Sequence, residues 1–301
     1  MESWMKNGAI SAKKNWKNWM WAYLFIAPAM LGLLLFMVYP LIMGMYLSFF
    51  EVGLMDQTFI GLENYQKLFT DKHFIQSMGN TVKYTLGIII LGIPISLGLA
   101  MLMNQKIKGI TGFRLVYYLP VITSMVAVSM IWKGLFTADG LVNQVIGLVG
   151  VDPINWLTDE RYAMWAVIIM SIWKGAGFNM IVFLGGLQSI PGSVYEAADV
   201  DGATGFKRFF KITLPLLSPT IFFVAITTII NSFQVFEQAK ILTNGGPKGS
   251  TSTVVLSIYE NAFQSFQPGY ASAQAVILFL ILLAITILQF SLQKRWVYHA
   301  E

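Results

Sequence analysis

The sequence contains no cysteine among its 301 residues and only two histidines, His73 and His299. Without thiols the chain forms no disulfide bond and offers no thiolate to a metal ion. Two isolated histidines also do not suggest a histidine-rich metal site or a proton relay. We therefore expect no metal site in this chain.

Charge is also scarce. Only 12% of the residues are Asp, Glu, Lys or Arg, whereas about a quarter are charged in an average soluble domain. Hydrophobic residues make up 56% of the chain. This composition predicts a membrane protein. The net charge of +5 does not indicate a nucleic-acid partner, because the placement of the cations follows membrane topology, as shown below.

A nucleotide-binding phosphate loop is missing as well. Residues 245–251 contain glycine, lysine and threonine, but Lys248 precedes Gly249, which is the wrong order for that loop. If ATP drives this protein, another chain must hydrolyse it. We therefore expect neither an enzyme nor a bound cofactor in this chain.

Long apolar runs are what the sequence has in abundance. A 30 Å hydrocarbon core needs about 20 residues of helix, and six stretches meet that length. The first begins after Met20 and continues to about Phe50, which is too long for a signal peptide, and no small-residue cleavage site follows it. The predicted spans are 20–50, 81–103, 115–136, 162–187, 214–236 and 271–292.

The distribution of cations predicts the orientation of these spans. Lysine and arginine accumulate on cytoplasmic segments of membrane proteins. With the N-terminus inside, the inner segments hold the larger set: Lys6, Lys13, Lys14, Lys17, Lys106, Lys108, Arg114, Lys207, Arg208, Lys211, Lys294 and Arg295. The outer segments hold the smaller set: Lys67, Lys72, Lys83, Lys133, Arg161, Lys240 and Lys248. We therefore predict a cytoplasmic tail over 1–19, one membrane domain over 20–295 and a second cytoplasmic tail over 296–301.

One polar run between the fourth and fifth spans is typical of ordered structure. Ser193 and Glu196 have the spacing of a capping box, which predicts a helix start. Gly202 suits the left-handed conformation that ends a helix, and Gly205 frees the chain again before Phe206 and Phe209 resume helical spacing. The pattern predicts two short helices joined by a glycine elbow. The charge distribution places this loop, residues 188–213, in the cytoplasm.

The same run resembles the EAA loop of permease subunits of binding-protein-dependent ABC importers, in the carbohydrate-uptake branch of the maltose/oligosaccharide type. The matching positions are Glu196, Ala197, Ala198, Asp201, Gly202, Ala203, Phe209, Ile212 and Pro215. Other stretches also resemble these permeases, above all residues 243–247, together with Asn64-Tyr65, Asn80-Thr81 and Leu119-Pro120. The resemblance covers about residues 20–295, but the large extra outer domain of some maltose-type members is missing.

The resemblance implies an all-α membrane protein with the fold of a type I importer permease, in a bacterial or archaeal cell membrane with both termini cytoplasmic. It also implies four kinds of partner: a second permease subunit, two copies of a cytoplasmic ATPase that bind ATP and Mg, an extracytoplasmic sugar-binding protein and lipid. The chain would then form half of a sugar pathway. Glu196 would pair with a basic residue of the ATPase. The alternative is an ordinary loop in which Glu196 only caps a helix.

Polar residues inside the predicted spans are candidates for substrate contacts, because they are costly in a membrane. Thr228, Asn231, Ser232 and Val235 have the spacing of one helical face, and their hydroxyl and amide groups match sugar hydroxyls. In the fourth span, Lys174, Gly175 and Phe178 interrupt an apolar helix. In maltose-type permeases the corresponding positions face the sugar, although most residue types differ here.

Less specific readings of these residues remain open. Serine, threonine and asparagine in membrane helices often bond only to neighbouring helices, and Lys174 can equally pair with a carboxylate of a partner subunit. Lys174 is compatible with an anionic sugar and with a neutral one.

Two rival functions are weaker. A proton-coupled secondary sugar transporter usually needs a carboxylate inside the membrane, and the six predicted spans contain none. Sodium coupling remains open, since carbonyl and hydroxyl oxygens can bind that ion. A membrane enzyme would need an acid–base pair, a metal site or an activated nucleophile, and the spans hold no Ser/His pair.

Overall fold

The computed structural model describes residues 3–53, 56–105 and 107–297. Helices dominate these residues, as the apolar runs predict. The α-helices are Ser3–Leu33, Tyr39–Leu47, Glu63–Thr70, Lys72–Gly87, Ile93–Met103, Ile110–Ile122, Met125–Leu135, Leu141–Gly147, Ala163–Ser189, Gly192–Val200, Gly205–Arg208, Leu214–Leu216, Ser218–Phe233, Glu237–Leu242, Val254–Tyr259 and Pro268–Trp296. Turns of π-helix occupy Leu34–Val38, Ile88–Gly92, Phe209–Thr213 and Glu260–Gln264.

The described helices supply six membrane spans if each bent helix pair counts as one span. Four spans run through without a sharp bend: Asn18–Leu47 (span 1), Lys72–Met103 (span 2), Ala163–Ser189 (span 4) and Pro268–Lys294 (span 6). The bent pairs are Ile110–Ile122 with Met125–Leu135 (span 3), and Gly205–Leu216 with Ser218–Phe233 (span 5). The helix of span 1 already begins at Ser3, so helical structure extends into the predicted N-terminal tail.

Span 3 departs from the prediction of one continuous span over 115–136. Its two helices meet at an angle of 101°. The first helix ends at Ile122, two residues after Pro120, and Thr123 and Ser124 are extended, with ψ of 147° and 136°. The helix runs through Pro120 for two more residues, so the break lies where Thr123 and Ser124 leave helical geometry.

Span 5 is also bent, by 68°, between Leu216 and Ser218. Pro215 and Pro219 lie on the two sides of the bend, each in the first turn of a helix, where proline is tolerated. The second helix ends at Phe233 and not at 236 as predicted. The residues after 233 therefore no longer follow helical spacing, which matters for Val235.

Spans 2, 4 and 5 pack against one another and form the interior. On the inner half, Leu97, Met180, Phe183 and Leu217 are among the buried residues of one hydrophobic cluster. On the outer half, a second cluster lies around Met164 and Met170 of span 4. Span 1 is different, since none of the residues in its most apolar stretch is buried. The site described below therefore lies in the bundle and away from span 1.

Several short elements lie on the side of the bundle that is predicted to face outward. The helix Glu63–Thr70 is one of them. A two-stranded antiparallel sheet, Phe50–Val52 with Gln57–Phe59, precedes it and was not predicted. Tyr270 of span 6 donates a 2.5 Å hydrogen bond to Asp71. Burial acts to raise the pKa of Asp71, but the hydrogen bonds from Tyr270 and from the amides of His73 and Phe74 outweigh it and lower that pKa.

The loop over 137–161 lies on the side of the bundle that is predicted to face outward. It contains the helix Leu141–Gly147, and Trp156 is buried, with 9% of its surface exposed. Asn143 organises the loop: its amide donates to the carbonyls of Thr137, Ala138 and Ile154, and its oxygen accepts from the indole of Trp156 at 3.0 Å. Because Asn143 accepts the indole N–H of Trp156 inside the protein, this tryptophan does not need the polar groups of the membrane interface as partners.

Candidate translocation cavity and coupling segment

An open cavity of about 260 Å³ lies among spans 2, 3, 4 and 5. Most of the sequence-predicted substrate residues line it, namely Lys174, Gly175, Phe178, Thr228, Asn231 and Ser232. The bent spans 3 and 5 contribute one wall each. Residues distant in the sequence are thus brought to one place inside the membrane, as the prediction required.

Val235 is the exception. Because the helix ends at Phe233, Val235 leaves the predicted face. Its side chain is 3% exposed and packs in the outer hydrophobic cluster with Phe136 and Trp156. Its carbonyl accepts a hydrogen bond of 2.8 Å from Thr253. Assigning Val235 to the cavity wall was therefore wrong.

Several polar cavity residues were missed from the sequence. They are Tyr84, Ser171, Asn179, Thr227 and Gln238. The rule that polar groups within apolar spans face a cavity or a neighbouring helix would have singled out Tyr84, Ser171 and Asn179. These residues add hydroxyl and amide groups to the cavity, while Phe178, 46% exposed, supplies an aromatic face.

Lys174 lines the cavity, yet its ammonium group is already engaged. Its Nζ donates to the carbonyls of Pro120 at 3.0 Å and Thr123 at 2.8 Å, with Val121 at 3.5 Å. These carbonyls lie at the break of span 3. The sequence suggested a sugar hydroxyl or a carboxylate as the partner, and the structure instead shows backbone oxygens.

The coupling segment, residues 192–213, confirms the predicted helix–elbow–helix arrangement. The first helix, Gly192–Val200, ends before Gly202, whose φ is +69°, and Gly205 follows with φ +52°. Both values lie in the left-handed region that glycine adopts easily. The capping box was wrong: the helix begins at Gly192, so Ser193 lies within its first turn, and no side chain caps it.

The small residues of the motif allow the elbow to close on itself. Ala198 and Ala203 are buried, and the amide of Ala203 donates to the carbonyl of Ala198 at 2.8 Å. Ala197, by contrast, is exposed. Phe209 is half-buried against the inner hydrophobic cluster, Ile212 is half-buried, and Pro215 is exposed. The segment is thus rooted in the bundle at its C-terminal end.

Contacts between the two short helices, across the glycine elbow, were not predicted. The guanidinium of Arg208 forms a 2.8 Å ion pair with Asp199 and lies 5.8 Å from the ring of Tyr195. The hydroxyls of Tyr195 and Thr213 are 3.3 Å apart. The sequence did offer a signal for the ion pair, because Asp199 and Arg208 carry opposite charges on the two sides of the glycines. These contacts connect the two short helices to each other.

The tip of this unit is free for a partner. Glu196 is exposed, and within the part of the chain that the structure describes it forms no ion pair. Large apolar side chains of the same segment are exposed as well: Val200 is 88% exposed, Phe206 84% and Phe210 59%. An exposed apolar patch with one acidic group is typical of an interaction surface.

Comparison with known proteins identifies the family of this chain. Residues 79–298 match the family described as the inner membrane component of binding-protein-dependent transport systems. The probable ABC transporter permease YesP of Bacillus subtilis is 38% identical, over 97% of each chain. The lactose transport system permease LacF of Rhizobium radiobacter is 37% identical, over 89% of this chain and 91% of its own.

Solved structures are similar as well. A chain of a bacterial ABC transporter involved in the import of the acidic polysaccharide alginate superposes with a TM-score of 0.83 at 26% identity, covering 95% of this chain and 99% of its own. The alginate transporter has also been solved in complex with a periplasmic protein bound to an alginate pentasaccharide. From the family match and these relatives, the chain belongs to the inner membrane components of binding-protein-dependent ABC importers.

Proposed function

We infer that this chain is the membrane-spanning permease subunit of a binding-protein-dependent importer, and that the sugar it carries is an oligosaccharide. The observation that carries this is the cavity between the bent spans, lined by hydroxyl, amide and aromatic groups inside the membrane. Such groups match the hydroxyls and the apolar faces of sugars. The lactose and alginate systems among its relatives support the same class of substrate.

The cavity also supports a two-subunit pathway. It is open, and its described walls come from four spans of this chain. A second permease subunit on the open side would complete the enclosure. This chain would then supply half of the translocation pathway, with an extracytoplasmic binding protein delivering the sugar.

The energy would come from separate subunits. Two copies of a cytoplasmic ATPase, with ATP and Mg bound to them, would dock on the coupling segment. Exposed Glu196 offers a carboxylate for a basic side chain of the ATPase, and the exposed phenylalanines offer apolar contact. Both termini would lie in the cytoplasm, consistent with the excess of cations there. An ion-coupled secondary transporter is less supported, since the described spans contain no carboxylate.

Asn231→Leu tests the cavity. Asn231 lines it from span 5 and is exposed, so leucine removes polar contacts without disturbing buried packing. Loss of one or two hydrogen bonds, each worth about 1 kcal/mol, should reduce sugar uptake by the assembled transporter severalfold. Phe223→Leu, at an exposed position of the same helix outside the cavity, is the control and should transport normally. Unchanged uptake by Asn231→Leu would remove the lining role of this face.

A further inference from the structure

Lys174 contacts three backbone carbonyls at the break of span 3, where the regular helical hydrogen-bond pattern ends. Its Nζ lies 3.0 Å from the oxygen of Pro120, 2.8 Å from that of Thr123 and 3.5 Å from that of Val121. The first helix of span 3 ends at Ile122. The lysine therefore reaches across from span 4 to the C-terminal end of a broken helix.

A helix end inside a membrane needs such a partner. The last carbonyls of a helix have no intrahelical donor, and lipid supplies none. Thr123 partly helps, because its hydroxyl donates to the carbonyls of Leu119 and Pro120. The carbonyl of Thr123 itself receives the ammonium of Lys174. A cation is also the favourable charge at the negative end of the helix dipole.

The neighbouring turn of span 4 is shaped for the same contact. Gly177 lies three residues after Lys174, on the same helical face. A Cβ atom at Gly177 would lie 2.0 Å from the carbonyl oxygen of Tyr117, so only glycine permits this approach of the two helices. Lys174 and Gly177 together hold the first half of span 3 against span 4.

We propose that Lys174 is a positioning residue that fixes the break of span 3, and that the cavity beside it takes an uncharged oligosaccharide. The proposal rests on the proposed function for its substrate. With the ammonium held by backbone carbonyls, the remaining polar groups of the described cavity lining are hydroxyls and amides. Among the described residues that line the cavity, no cation is therefore left free for an acidic sugar.

Uptake kinetics separate positioning from direct contact. In the assembled transporter, Lys174→Met should lower the maximal uptake rate at least about tenfold, the equivalent of one charge-assisted hydrogen bond, and leave the half-saturating concentration of sugar-loaded binding protein unchanged. Lys174→Arg should restore most of the rate, because it keeps the charge and the donors. Lys133→Met, the same change at an exposed position of span 3, is the control. A raised half-saturating concentration with an unchanged maximal rate would show direct sugar contact and overturn the proposal.

A spectroscopic measurement tests the positioning role without transport. The chain has no cysteine, so Leu115→Cys and Met130→Cys, both exposed and in different halves of span 3, can be labelled selectively with nitroxides. The label-to-label distance distribution should be narrow in the parent and in Lys174→Arg, and broad in Lys174→Met. Lys174→Gln serves the same purpose if the methionine variant does not assemble. An unchanged distribution in these variants would overturn the positioning role, even if no sugar were transported.

The substrate class has its own test. Transporter with its binding protein should take up a neutral oligosaccharide, and an oligosaccharide of hexuronic acids of equal length should neither be transported nor inhibit. Transport of the acidic sugar would overturn the uncharged substrate. Transport of neither sugar, with the label distances behaving as expected, would instead count against the proposed function and leave the role of Lys174 standing.

Discussion

At the scale of single residues, the decisive distinction is between polar groups that the chain itself satisfies and those left free. Lys174 and Asn143 are satisfied by carbonyls of their own chain. Asp199 is paired with Arg208. Glu196, one turn before Asp199 on the same short helix, is exposed and unpaired among the described residues. The free carboxylate is therefore the group available to a partner.

Charge reversal at Glu196 tests this reading. Glu196→Lys should nearly abolish sugar uptake and sugar-stimulated ATP hydrolysis, because a repulsive contact would replace an attractive one with the ATPase. Insertion into the membrane should be normal, since the side chain supports no packing inside the chain. The measurement is uptake by vesicles together with quantification of the inserted protein.

The control for that experiment is Asp139→Lys, the same reversal on an exposed residue of an outer loop. It should transport like the parent protein. If Glu196→Lys also transported normally, Glu196 would have no part in coupling, and the apolar tip with Phe206 would have to carry the contact alone.

The sequence predicted the cavity-lining residues of span 5 correctly as far as that span is helical. Thr228, Asn231 and Ser232 line it as their spacing on span 5 required. Val235 failed because the helix ends two residues earlier. The partner of Lys174 could not be predicted, because it depends on carbonyls exposed by a bend in another span, more than fifty residues away in the sequence.

At the scale of elements, an outer segment, residues 248–254, is held against span 2 by a row of polar side chains. Asn80 donates to the carbonyls of Gly249 at 2.7 Å and Ser252 at 3.0 Å. The hydroxyls of Ser77 and Ser252 are 2.9 Å apart, and Thr81 accepts from the amide of Val254. Thr253 then donates to the carbonyl of Val235, just beyond the end of span 5. The row links span 2 to the residues that follow the end of span 5.

Asn80→Leu should destabilise this arrangement by about 2 kcal/mol, because it removes the side-chain donor to two carbonyls of the outer segment, and the carbonyl of Gly249 then keeps only the amide of Ser252. The expected result is a lower unfolding temperature of the detergent-solubilised protein and faster proteolysis near Lys248. Asn155→Leu, at an exposed asparagine of another outer loop, is the matched change and should behave like the parent. Equal unfolding temperatures for both variants would show that the row contributes little.

The sequence pattern predicted that the spans exist, but it did not predict where their helices bend. The existence of all six spans followed from apolar length, because the membrane demands it. The bends of 101° and 68° did not, although Pro120, Pro215 and Pro219 lie beside them. Proline in a membrane helix is compatible with a continuous span when neighbours satisfy the freed groups, so its presence alone does not decide the outcome.

At the scale of the whole molecule, the chain has the form of a subunit. Span 1 contributes no buried residue from its most apolar stretch, and only 6% of the corresponding stretch of span 6 is buried. The interior is formed mainly by spans 2, 4 and 5, and the cavity between the bent spans stays open. Unburied spans and an open cavity are compatible with lipid on some faces and a partner subunit on others.

Co-purification in mild detergent with the proteins encoded beside this chain tests the central claim most directly, followed by an ATPase assay with and without sugar-loaded binding protein. The account predicts a stable complex with a second permease and two ATPase copies, whose ATP hydrolysis one loaded binding protein stimulates. A chain that purified alone and carried sugar down an ion gradient would contradict it.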